Sequence, residues 1–113
     1  MIKIYHNPRC SKSREGLKIL EESREDFQIV KYLNNPLTKT ELKEVLSLLG
    51  IPAKDLVRTK EQIWKDNYKN KNLNEEEVIE AMIAHPKLIE RPIVVKNNKA
   101  IIARPPEKIK DFL

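Results

Sequence analysis

Met1-Ile2-Lys3-Ile4-Tyr5-His6-Asn7-Pro8-Arg9-Cys10-Ser11-Lys12-Ser13-Arg14 opens the chain and decides how the rest is read. Apolar and polar residues alternate from Ile2 to Tyr5, the period of a half-buried strand. His6 to Arg9 forms a loop around Pro8, which lacks an amide donor. A helical stretch then runs from about Ser11 to Glu22, carrying Leu17 and Leu20 inward. Phe27 to Tyr32 is β-branched and aromatic and reads as a second strand. The helix between them has the length of a parallel crossover, so these residues form a βαβ unit.

Beyond the breaker Asn34-Asn35-Pro36, Thr38 and Glu41 form a capping box ahead of Leu42, Val45, Leu46 and Leu49, spaced i, i+3, i+4, i+7. Gly50 and Pro52 end that helix. Residues 53–72 are lysine-rich and weakly periodic, read as short helices over a packed Trp64. Asn74 caps another helix, with Glu75, Glu76 and Glu77 at its positive end and Val78, Ile79, Met82 and Ile83 facing inward. His85-Pro86 closes it. Pro92 to Lys96 and Lys99 to Ala103 are β-rich runs joined by Asn97-Asn98, a hairpin signal because asparagine tolerates positive φ. A short terminal helix is expected to start at Pro105-Pro106. The predicted fold is α/β: a mixed four-stranded sheet in the order β-α-β, then β-β-α, with a helical insertion at about 36–86, in one domain spanning 1–113.

The composition excludes several classes. At 113 residues the chain has room for one core and one site. Its 40% hydrophobic and 35% charged residues suit a folded domain rather than a disordered one. No apolar run approaches the roughly 20 residues of a membrane span. The opening residues lack both an apolar leader and a cleavage site, so the expected compartment is the cytoplasm. The net charge of +5 invites a nucleic-acid reading. However, the lysines lie mostly beside glutamates and the aromatic residues are scattered along the chain, so a solvated cationic surface is the better reading. With one cysteine and two distant histidines there is no zinc cluster, and Gly16 and Gly50 alone make no phosphate loop. No pattern demands a dimer, so a monomer is expected.

Cys10 stands where a loop feeds a helix, so its sulfur would face unsatisfied amides and a positive helix end. Both favour thiolate, as do neighbouring cations. Arg9, Arg14 and a protonated His6 are expected to add to this, and Ser11 or Ser13 to donate hydrogen bonds. The competing reading is a buried, inert cysteine. Its place between Pro8-Arg9 and two serines favours the reactive one. Cys10-Ser11-Lys12-Ser13 has the frame of a C-x-x-C redox motif with serine in place of the second sulfur. A disulfide cycle within the chain is therefore impossible, and any adduct must be resolved by an external thiol.

Of 22 cationic residues only six are arginine. Three of these, Arg58, Arg91 and Arg104, each sit at the edge of an apolar segment. Planar guanidinium forks suit a tetrahedral oxyanion such as phosphate or arsenate. Taken singly, Arg91 beside Glu90 or Arg104 near Glu107 reads equally well as a surface ion pair. Pro92 opens the strand after Arg91; a trans edge-strand proline is the default, while a thioredoxin-type domain would have a cis bond there. His6 either tunes Cys10 or caps a turn.

Four stretches in order, Ile4 to Arg14, Leu56-Val57-Arg58-Thr59-Lys60, His85 to Val95 and Ala103-Arg104-Pro105-Pro106-Glu107, resemble the glutaredoxin-linked arsenate reductase family, ArsC-like proteins. The resemblance covers nearly the whole chain. It implies a thioredoxin-like fold, Cys10 as nucleophile, Arg58, Arg91 and Arg104 holding the oxyanion, and His6 influencing the thiol. It also implies arsenate as substrate, no bound cofactor, glutathione as co-substrate and glutaredoxin as partner. Two other readings compete: a Spx-like transcription regulator binding RNA polymerase, and a thiol enzyme acting on a different oxyanion. Regulators of that kind typically carry a second loop cysteine, where this chain has Ser13.

Overall fold

Ile2 and Ile4 are buried while Lys3 is exposed, so the first strand, β1 (Ile2–Tyr5), turns one face inward. The computed structural model describes residues 2–113. Helix α1 (Ser11–Ser23) comes next and leads to β2 (Phe27–Val30), which pairs parallel with β1. The inward stripe of α1 is Ser13, Gly16 and Leu20; Leu17 is only half-buried. The last third supplies β3 (Ile93–Lys96) and β4 (Lys99–Ile102), an antiparallel hairpin whose turn residue Asn97 has φ 55°. β3 also pairs antiparallel with β1, giving the order β2-β1-β3-β4 in a mixed sheet. The expected four strands and the crossover are therefore present.

The ends of α1, β3 and β4 differ from the sequence reading by one residue, and two other boundaries differ by more. The second strand stops at Val30, and Tyr32 is buried in the turn beyond it. The terminal helix α5 (Lys108–Phe112) begins after the prolines, which occupy the preceding turn, where the Pro105 and Pro106 carbonyls accept from Lys108 and Ile109. The Arg91–Pro92 and Arg104–Pro105 peptides are both cis.

The chain divides into two compact units, Met1–Asn35 with Arg91–Leu113, and Pro36–Glu90. The first contains the sheet, and its core is Ile2, Ile4, Leu20, Val94, Ala103 and Ile109. Each of these aliphatic side chains larger than Ala103 contributes about 1.5–3 kcal/mol by leaving water. Gly16 fits beneath Pro92 and Ile109: a Cβ there would stand 3.0 Å from Pro92 Cγ and 3.2 Å from Ile109 Cδ1.

The second unit carries α2 (Lys39–Leu49), α3 (Gln62–Asn67) and α4 (Glu75–Ala84). Both predicted caps are formed. Thr38 Oγ1 accepts from the Glu41 amide at 3.1 Å, while Glu41 Oε1 accepts from the Thr38 amide at 2.9 Å. Asn74 and Glu77 repeat the reciprocal pair. Leu42, Val45 and Leu46 of α2 are buried, as are Val78, Ile79 and Met82 of α4. Lys39 and Lys43 both reach Glu76, at 2.7 and 2.8 Å, and their hydrogen bonds bring its carboxyl down to about 2. Trp64 is half-buried rather than packed beneath, and stacks on Tyr68 at 5.2 Å, with His85 edge-on to Tyr68 at 6.2 Å. Three rings separated in sequence thus form one cluster. Replacing Thr38 by alanine should lower stability by about 1 kcal/mol through loss of the cap. Urea unfolding reads this as a lower midpoint, and an unchanged midpoint would show that the cap contributes nothing.

Candidate active site

The loop between β1 and α1 is closed by its own polar groups. The His6 amide donates to the Val30 carbonyl at 2.9 Å, which ties the loop to the sheet. Asn7 shapes the turn into the helix: its carbonyl accepts from the Cys10 amide and its Oδ1 from the Arg9 amide, both at 3.0 Å. The Asn7 amide donates to Ser13 Oγ at 2.9 Å, and Ser13 Oγ lies 2.7 Å from His6 Nδ1. His6, Asn7 and Ser13 are at most 4% exposed, so this network satisfies groups that water cannot reach. Asn7 was not singled out from the sequence. The signal for it was an asparagine before proline in a tight loop, a residue whose side chain bonds its neighbours' backbone.

Cys10 is the N-cap of α1, with extended backbone, and is partly exposed. Burial by itself would raise its thiol. The Ser13 amide, Arg91 through both a hydrogen bond and its charge, and the Lys12 amide outweigh that, and the thiol lies below its ordinary value. The expected activation is present, with different agents. Arg14 does not act on the sulfur; its Nη1 donates to the Pro8 carbonyl at 3.0 Å and braces the loop. Arg9 is exposed and does not contribute to the shift either. The serine contribution comes through the Ser13 amide, since its hydroxyl is engaged by His6 and Asn7, and Ser11 is exposed.

His6 is not the expected cation. Burial lowers it, the Ser13 hydrogen bond opposes this, and the charges of Lys31 and Arg14 lower it further. Its ring is therefore neutral at pH 7, and its connection to Cys10 runs through Ser13.

Arg91 and Pro92 belong to the same unit as Cys10, and the Ala103 amide donates to the Pro92 carbonyl at 2.9 Å. Arg104 joins them: its Nη1 donates to the Arg91 carbonyl at 3.2 Å. Arg58 lies in the second unit. There the Val57–Ile89 bridge, with the Arg58 amide on Leu88 and the Glu90 amide on Leu56, fixes its backbone. Its Nε is 3.5 Å from Glu90 Oε1, and its buried Nη1 has no hydrogen-bond partner among the described residues. Cys10, Arg91 and Arg104 are thus brought together within one unit, and Arg58 belongs to the other.

A mixed sheet of this order, with an activated thiol heading the first helix, defines the thioredoxin-like class of α/β domains. Within it, the chain belongs to the ArsC family, whose profile matches residues 5–112. A protein of Escherichia coli K12 named "Uncharacterized protein YfgD" is 47% identical, over 99% of this chain and 96% of its own length. An arsenate reductase of Neisseria meningitidis is 44% identical, over 99% and 97%. The structure of the arsenate reductase from Vibrio cholerae superposes with a TM-score of 0.93 at 43% identity, covering 99% of this chain and 97% of that one. No described helix is long and apolar enough to cross a membrane.

Proposed function

We propose that this protein is an arsenate reductase that draws its electrons from glutathione and glutaredoxin. The observation that carries the reading is the lone Cys10 thiol, lowered by the Ser13 amide and by Arg91 in a chain whose relatives include arsenate reductases. Arg91, Arg104 and Arg58 are assigned to the oxyanion. The buried Nη1 of Arg58, which has no acceptor among the described residues, supports that assignment, because such a donor left dry is costly.

In the proposed cycle the Cys10 sulfur bonds to arsenic and one arsenate oxygen leaves as water. Glutathione thiolate then attacks the Cys10 sulfur, forming a sulfur–sulfur bond. The sulfur–arsenic bond breaks with its electron pair remaining on arsenic, which leaves as arsenite. Glutaredoxin with a second glutathione clears the mixed disulfide, so two glutathiones are oxidised for each arsenic reduced. The protein needs no bound cofactor and works as a cytoplasmic monomer. Phosphate occupies the same oxyanion site and inhibits, because phosphorus does not accept the electrons.

The test couples the protein to glutathione, glutaredoxin, glutathione reductase and NADPH. Arsenate-dependent NADPH oxidation that phosphate competes against is the expected result. No arsenate-dependent oxidation, with Cys10 still reactive toward alkylating agents, would overturn arsenate as the substrate and favour another oxyanion.

A further inference from the structure

Ion pairs among the described residues are of two kinds. In Lys12–Glu15, Lys39–Glu76, Lys39–Glu80 and Lys43–Glu76 the side chains are about half exposed or more, where water screens the attraction. Arg58–Glu90 differs: its side chains are 23% and 26% exposed, with Nε 3.5 Å from Oε1. Charges withdrawn from water in this way are screened less, so they act more strongly on each other and on any third charge brought to them. The backbone holds the pair in place. Val57 and Ile89 form a bridge between the two segments, the Arg58 amide donates to the Leu88 carbonyl, and the Glu90 amide donates to the Leu56 carbonyl at 2.9 Å. All these residues lie in the unit Pro36–Glu90, so the pair is built within that unit.

The two edges of the guanidinium have different surroundings. Its Nε faces a carboxylate, while Nη1 is buried with no hydrogen-bond partner among the described residues. A cation drawn this far from water needs a counter-charge, and Glu90 supplies it. A carboxylate in that position also repels a second anion attracted to the same guanidinium. We propose that Glu90 is a positioning residue that acts through Arg58 as its resident counter-anion, holding down the affinity of that guanidinium for an incoming oxyanion. The inference rests on the proposed assignment of Arg58 to the oxyanion. An oxyanion that takes Arg58 shares it with Glu90, so binding is weakened and release is quickened.

The experiment measures the dissociation constant of inorganic phosphate by isothermal titration calorimetry on the whole chain, at fixed neutral pH and low ionic strength. Glu90→Gln keeps the size of the side chain and an oxygen acceptor for Nε while removing the charge, and should bind phosphate about five-fold more tightly than wild type. Glu90→Asp retains the charge and should bind within about two-fold of wild type. Damage to the fold would weaken binding, the opposite sign. In an Arg58→Gln background, adding Glu90→Gln should bring no tightening, because the charge acts through Arg58. The proposal is overturned if Glu90→Gln binds phosphate as wild type does or more weakly, if Glu90→Asp tightens binding equally, or if the tightening persists without Arg58. Weaker phosphate binding in Arg58→Gln, with no effect of Glu90→Gln, would sink this inference and leave the oxyanion assignment standing. Phosphate binding that is absent from wild type, or unaffected by Arg58→Gln, would remove Arg58 from the oxyanion and overturn both.

Discussion

Cys10→Ser is expected to reduce arsenate-dependent NADPH oxidation to the background of the coupled assay, a loss of about 10³-fold or more. A serine hydroxyl at this position is not ionised near neutral pH, so attack on arsenic fails. It also cannot enter a disulfide, so even an oxygen-linked adduct would lack a route for two electrons to reach arsenic. The substitution exchanges one small atom at a partly exposed helix cap, and unchanged thermal unfolding would confirm that the fold persists. Residual turnover within about ten-fold of wild type would rule out Cys10 as the nucleophile.

Arg91→Ala should have the next largest effect, because Arg91 acts on the sulfur through a hydrogen bond and through its charge. Removing both leaves burial opposed only by amides, so the thiol rises toward its ordinary value. The sign is fixed: a lowered thiol is more ionised at neutral pH, and raising it shifts the alkylation profile to higher pH. The same linkage makes the ionised thiol stabilise the fold above the ordinary thiol range, a contribution lost as pH falls through the lowered value. Turnover should drop by about 10²-fold, since a charge aimed at the reacting centre is lost together with thiolate. Arg91→Lys retains charge without the planar fork and should fall between. Superimposable alkylation profiles for wild type and Arg91→Ala would show that Arg91 does not control the sulfur.

His6 illustrates how site roles can be only half legible. A histidine four residues before a reactive cysteine suggests a cation beside it. The folded chain buries the ring against Ser13, and burial disfavours the charged form more than the hydrogen bond restores it. Arg9 and Arg14 mislead for a related reason: adjacency along the chain says nothing about where a long side chain points. Arg14 lies one turn after Cys10 and reaches back to the Pro8 carbonyl.

Short-range chemistry was settled by the amino-acid order itself. Thr38 with Glu41, Asn74 with Glu77 and the asparagine turn at 97 are each complete within a few residues, so caps and hairpin could be assigned without a fold. The lone sulfur, and with it the absence of a second cysteine to close a disulfide with it, was equally plain. What only the tertiary structure decided was which distant group governs that sulfur. Arg91 meets Cys10 because β3 pairs with β1, and Arg104 meets Arg91 because β4 pairs with β3. Ionisation depends on burial and on charges a few ångströms away, and those distances are set by the pairing of strands remote in sequence.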